Sequence, residues 1–172
     1  MASQNPIWSP PSQGLWKLNV DASYDSKSGK VGYGVIIRNY KGCLVDGCAA
    51  IFTCLSPLAA EGMAIREALL VASRRGFTAG VVETDSHLMV QLCSSSGENA
   101  PWELEVVLHD IKFLLSSYPS LSVVYVARRA NSCAHWVANQ SRIGRLVSRW
   151  VANPPHQLAM LLAQDFPSCF VS

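Results

Sequence analysis

Between Leu15 and Ser23 the chain alternates, with Trp16, Leu18 and Val20 on one parity and Lys17, Asn19 and Asp21 on the other. A period of two predicts a β-strand, here about 15–23, with one apolar face. Asp21 falls on the other face, at the end of the strand. There it could be a metal ligand or an ordinary turn aspartate. A polar turn, Asp25-Ser-Lys-Ser-Gly-Lys30, leads into a second strand over about 31–39. Gly32 and Gly34 allow a backbone to approach closely near Asp21. Asn39-Tyr-Lys-Gly42 reads as a hairpin turn into a third strand over about 43–52. The first third of the chain is therefore predicted to be an antiparallel meander.

The pattern then changes to a helical one. Ser56-Pro57 supplies an N-cap and a first-turn proline, and Gly76 a stop, for a helix reaching about Arg75. Leu58, Ile65, Ala68, Leu69 and Ala72 form its apolar stripe, and Glu61 lies on that stripe. A carboxylate facing a core is costly unless paired, protonated or bound to metal, or unless it reaches solvent at the stripe edge. A short apolar strand over 79–84 ends at Asp85-Ser86, where a second helix of about 86–94 starts, with Asp85 a metal ligand or an N-cap. Strand, helix, strand requires a parallel crossover, and such sheets bind ligands outside the carboxyl ends of their strands. A loop, Ser94–Pro101, precedes a helix of about 102–117. A fifth strand covers Leu121–Ala127, and Asn131 is placed to cap a helix of about 132–143 that carries His135 in its first turn. A short helix within Leu158–Ala163 closes the pattern. Residues 1–14 read as a loose lead-in, with Trp8 as an anchor point, 15–165 as one domain and 166–172 as a tail.

Composition narrows the class. The 172 residues are 49% hydrophobic and 15% charged, which suits one folded α/β domain with a sizeable core. A net charge of +2 neither requires nor excludes nucleic acid. The six cysteines form no CxxC pair and no zinc spacing, and are expected to be reduced thiols in a cytosolic or nuclear protein, with a secreted disulfide scaffold the alternative. The start of the chain does not read as a signal peptide, and no apolar run is long enough to span a membrane. Neither a phosphate-binding glycine loop nor a nucleophile elbow supports a small-molecule enzyme.

The order β-β-β-α-β-α-α-β-α, with acids at Asp21, Glu61 and Asp85, resembles the ribonuclease H family. It looks most like the plant subgroup found at the end of non-LTR retroelement reverse transcriptases and as free-standing proteins. The resemblance rests on Trp16-Lys-Leu-Asn-Val-Asp-Ala22, Gly32-Tyr-Gly-Val-Ile-Ile-Arg-Asn-Tyr-Lys-Gly42, Ala60-Glu61 with Glu67-Ala-Leu69, Glu83-Thr-Asp-Ser86, and Arg128-Arg-Ala-Asn131 with Ala134. It covers about residues 14–165. It implies a five-stranded mixed sheet, three antiparallel strands then two parallel ones, with helices on both faces. It also implies cleavage of the RNA strand of an RNA/DNA hybrid with two Mg²⁺ or Mn²⁺ ions, held roughly 3.5–4 Å apart on the attacking and leaving oxygens. Asp21 would be shared between the ions, with Glu61 and Asp85 completing one site each. Hard cations favour such oxygen ligands, and their mutual repulsion should raise carboxylate pKa values in the metal-free protein.

Three features depart from the family pattern. His135 stands where an aspartate is usual, so it is the fourth catalytic and metal-ligand candidate, or a solvent-side residue that leaves one site short. Ala22 replaces a glycine beside Asp21. No basic element follows the second helix, since Ser94–Pro101 lacks Lys and Arg, which implies weak hybrid binding. Ser23, Asn39, Arg128 and Asn131 are candidate substrate contacts, or equally turn or cap residues; the hydroxyl and amide groups can reach a 2′-hydroxyl. The expected function is hybrid-directed endoribonuclease, against a catalytically weak or inactive domain of the same fold that binds nucleic acid or a protein.

Overall fold

The computed structural model describes residues 7–96 and 99–170. Residues 97 and 98 of the expected Ser94–Pro101 loop, and 1–6 and 171–172 at the ends, lie outside the described residues. The alternation at Asp21 forms a central strand, β1 (Trp16–Tyr24). It is followed by β2 (Lys30–Arg38), β3 (Leu44–Thr53), α1 (Pro57–Arg75), β4 (Gly80–Thr84), α2 (His87–Ser94), α3 (Glu105–Ser117), β5 (Leu121–Tyr125), α4 (Ser132–Arg142) and α5 (His156–Asp165). The sheet order is β3-β2-β1-β4-β5. β1–β2 and β2–β3 pair antiparallel, β1–β4 and β4–β5 parallel. This is the mixed five-stranded sheet, three antiparallel strands then two parallel ones, that the resemblance implies.

Each side of the sheet is covered. Leu18 and Val20 of β1, Val35 and Ile37 of β2 and Val82 of β4 pack with Ala64, Ile65, Ala68 and Leu69 of α1, and with Leu108 and Ile111 of α3. On the other face Ile36 meets Cys133, Ala134 and Val137 of α4 and Leu158 and Leu162 of α5. α1 begins and ends where its sequence signals stand. The Ser56 side chain accepts from the Ala59 N–H, and Gly76 closes the helix at φ 82°. The two strand glycines let α4 lie directly on β2: a methyl group at Gly34 would sit 2.8 Å from Val137 Cβ, and one at Gly32 only 2.2 Å from the Arg142 nitrogen.

The polar parity of β1 is buried as well. Arg38 has no exposure; its guanidinium donates to Asp165 Oδ2 at 2.7 Å and Asn19 Oδ1 at 2.8 Å, and lies 3.4 Å from the Trp8 ring centroid. Asn19 donates to Glu83 Oε2 at 2.8 Å, and Lys17 pairs with Glu83 Oε1 at 2.8 Å. Most of this network is partnered, while Arg38 Nε and Trp8 Nε1 are buried without a hydrogen-bond partner. It corrects two expectations. Trp8 anchors the lead-in as expected, but it does so buried against Arg38 and not on the surface. The last helix is longer than Leu158–Ala163, since its final residue Asp165 plugs the Arg38 site. The tail begins with Phe166 packed on Gly42 and turns through Pro167–Phe170.

Candidate active site

Asp21 stands on β1 opposite Gly34 of β2, deep enough to be 1% exposed. Glu61 comes from α1, just beyond its first turn. Asp85 follows the last residue of β4, and the cap of α2 is Ser86, whose side chain accepts from the Met89 N–H at 3.4 Å. The cap role is thus filled by the serine and Asp85 is left facing the other acids. One carboxylate oxygen from each of Asp21, Glu61 and Asp85 lies within 4.8 Å of the other two, and this is the one such His/Cys/Asp/Glu group among the described residues.

Three acids at this spacing oppose one another's ionisation. Burial, then the charges of Asp21 and Asp85 and a hydrogen bond with Asp21, push Glu61 up to about 9, against a smaller opposing pull from the Ala22 amide. Burial and the charge of Asp21 likewise raise Asp85, opposed by Arg128. Glu61 Oε2 is buried and has no hydrogen-bond partner. A buried orphan oxygen beside two more carboxylates is a poor arrangement for a bare protein and a good one for a divalent cation, which supplies the missing positive charge and takes oxygen ligands. The donor set fits Mg²⁺ or Mn²⁺.

His135 is brought to this group from α4, but its ring is already engaged on both sides. Nδ1 lies 2.6 Å from Asp21 Oδ2, and Nε2 lies 3.0 Å from Asn139 Nδ2. Arg128, in the turn before α4, reaches Asp85 Oδ2 at 3.7 Å and His135 Nδ1 at 3.4 Å from a side chain that is 69% exposed.

The other candidates separate. The Ser23 hydroxyl donates to Asn139 Oδ1 at 2.6 Å and accepts from Arg142 Nε at 2.8 Å, so it serves the protein's own network. Asn131 is 1% exposed and does not cap α4 through its side chain. Instead it donates to the Val20 carbonyl at 2.9 Å and accepts from Asn19 at 3.2 Å, which pins the β1 backbone next to Asp21. Asn39 holds the β2–β3 turn, accepting from the Lys41 and Cys43 amides at 3.0 Å each. It lies beyond the end of β2 that pairs with Lys17, about five strand residues or roughly 17 Å from the Asp21 level. Of the four proposed substrate contacts, only Arg128 sits exposed at the rim of the acidic group. Asn139 and Arg142 were not singled out from the sequence. Asn139 lies four residues after His135, one turn along the same helix face, and that spacing was the available signal.

A match to the Reverse transcriptase-like family spans residues 19–141. No curated protein matches the chain in sequence. Among solved structures, the chain is similar to RNase H1 from the halophilic archaeon Halobacterium salinarum, with a TM-score of 0.69 and 21% identity over 74% of this chain and 97% of that one. It is also similar to LC11-RNase H1, from compost, in complex with an RNA/DNA hybrid, with a TM-score of 0.68 and 21% identity over 77% and 99% of the two chains. The foamy virus protease-reverse transcriptase matches with a TM-score of 0.63 and 18% identity over 86% of this chain and 23% of its own. At these identities the structural likeness speaks for the fold, and the family match adds kinship in sequence over the stretch holding Asp21, Glu61, Asp85 and His135. The chain belongs to the Reverse transcriptase-like family, on a ribonuclease H fold.

Proposed function

We propose that the chain is a metal-dependent endoribonuclease that hydrolyses the RNA strand of an RNA/DNA hybrid. The observation that carries the reading is the orphaned Glu61 Oε2 within the Asp21, Glu61 and Asp85 group. Bound Mg²⁺ or Mn²⁺, two ions in the full mechanism, would supply Lewis acidity at the scissile phosphate and lower the pKa of an attacking water. Asp21 within β1, Glu61 in α1 and Asp85 just after β4 would hold the metal. Arg128 is placed to meet a phosphate oxygen beside Asp85, and its loss should weaken substrate binding. The likeness to LC11-RNase H1, which was crystallised with a hybrid, supports that substrate class. The plant retroelement affinity of the motifs belongs to the same proposal.

A second reading has one observation behind it: a histidine, His135, and not a fourth carboxylate, stands at the flank of Asp21. On that reading the domain binds nucleic acid or a protein without cutting. Asp21→Asn separates the two. With a labelled hybrid in Mg²⁺, the enzyme reading expects cleavage by the parent protein, none by the variant, and equal or tighter binding by the variant. Hybrid binding by the folded parent with no cleavage in either Mg²⁺ or Mn²⁺ would favour the binder.

A further inference from the structure

Arg142 sets the direction of a chain of hydrogen bonds that ends on Asp21. A guanidinium only donates, so Ser23 Oγ accepts from Arg142 Nε at 2.8 Å. The Ser23 proton then goes to Asn139 Oδ1 at 2.6 Å. With its oxygen so used, the Asn139 amide turns Nδ2 toward His135 Nε2, 3.0 Å away, and an amide nitrogen only donates. The opposite orientation of Asn139 would take from the Ser23 proton the acceptor it has among the described residues. Nε2 is therefore the accepting nitrogen of the ring, the ring proton sits on Nδ1, and Nδ1 faces Asp21 Oδ2 at 2.6 Å. Arg128 Nη2 competes for Nδ1 only at 3.4 Å and from an exposed side chain. A donor-only guanidinium cannot displace the shorter contact with an acceptor carboxylate.

We infer that His135 is a positioning residue and not a metal ligand: as the neutral Nδ1–H tautomer, fixed through Asn139, Ser23 and Arg142, it holds one oxygen of Asp21 in place. Neither ring nitrogen is free for a cation. The metal is left to Asp21, Glu61 and Asp85, which lie within reach of one another without the histidine. The inference rests on the proposed metal site for its purpose but not for its geometry. Partners of this kind, one step removed from a metal, typically change metal affinity or activity by about 10–100-fold when lost.

The test is the long-range ¹H–¹⁵N correlation spectrum of the histidine rings in the full chain, metal-free and then saturated with Mg²⁺. The His135 ring is assigned by its disappearance in His135→Gln. The expected pattern is a protonated Nδ1 and an unprotonated Nε2 at about pH 8, with neither nitrogen moving as a ligand would when Mg²⁺ is added. Asn139→Leu, which leaves His135 in place, should abolish the tautomer preference and lower kcat about tenfold at unchanged KM. An Nε2–H tautomer, an imidazolium, or a ring nitrogen that shifts as a ligand on Mg²⁺ addition would overturn the inference. So would an Asn139→Leu protein whose tautomer is unaltered. If Mg²⁺ leaves the side-chain carboxylate signals of Asp21, Glu61 and Asp85 unmoved, the metal site itself fails. The metal-free tautomer still decides the hydrogen-bond chain.

Discussion

Replacing Glu61 by Gln should stabilise the metal-free protein at neutral and alkaline pH while removing a carboxylate that the metal needs. In the folded chain this acid is pushed from 4.5 to about 9, by burial first and then by the charges of Asp21 and Asp85. An acid whose folded pKa exceeds its unfolded value holds its proton more tightly when folded. Its burial therefore costs nothing below the unfolded value, and stability falls as pH rises from about 4.5 toward about 9. At about 1.36 kcal/mol per unit, the roughly 2.5 units between the unfolded value and neutrality amount to about 3 kcal/mol. Screening within the protein, stronger than in a dry interior, brings this to about 1–3 kcal/mol. Glutamine has a similar shape and no charge to desolvate. Thermal melts in the presence of a chelator should show Glu61→Gln equal to the parent at about pH 4.5. Above pH 7 the variant should melt higher by a few degrees, since each kcal/mol moves a domain of this size by about 2–4 °C. Added Mg²⁺ should raise the parent and not the variant, because only the parent binds the ion with its full ligand set. A difference between the two proteins that does not change with pH would refute the reasoning, as would a variant less stable than the parent at alkaline pH.

Other consequences follow from the buried polar layer and the α4 contact. Arg38→Met leaves Asp165 and Asn19 facing each other without the guanidinium, and should cost about 3–5 kcal/mol in urea unfolding. Adding Asp165→Leu should recover a large part of that loss, and no recovery would contradict the pairing. Gly34→Ala drives a methyl to 2.8 Å from Val137 Cβ and should cost about 1–3 kcal/mol in thermal unfolding by pushing α4 off β2; an unchanged melting temperature would count against the close packing. Burial pushes the thiols of Cys93 up to about 11 and Cys133 up to about 12. Both should resist alkylation at about pH 8 in the native protein and react on denaturation, as read by mass spectrometry.

The sheet and its helices were largely legible because their signals are local. Alternation in β1, the Ser56-Pro57 start and the Gly76 stop each act within a few residues, and the structure places those elements within one or two residues of their expected bounds. The acids at Asp21, Glu61 and Asp85 were legible as a group once their order and spacing matched a known pattern. What the sequence hid is long-range pairing. Arg38 ends a strand with nothing local to mark it as buried, and its partner Asp165 lies 127 positions later in α5. Asn131 has the sequence of a cap, but Val20 and Asn19 compete for its amide and win. Asn39 was open between substrate contact and turn, and its side-chain oxygen is committed to the turn amides beside it. His135 was visible as a departure from pattern. That both its ring nitrogens are engaged depends on Ser23 and Arg142, from different elements, and no spacing rule carries that information.

The central claim is that Asp21, Glu61 and Asp85 make a metal-dependent ribonuclease site. Cleavage of a hybrid end-labelled on its RNA strand, followed as Mg²⁺ is titrated from zero, tests it most directly. The expected result is no cut without metal, a saturable rise with Mg²⁺, products from the RNA strand alone, and loss of all cleavage in Asp21→Asn and Asp85→Asn. Intact RNA at saturating Mg²⁺ and Mn²⁺ with folded parent protein, or cleavage that survives both substitutions, would contradict it.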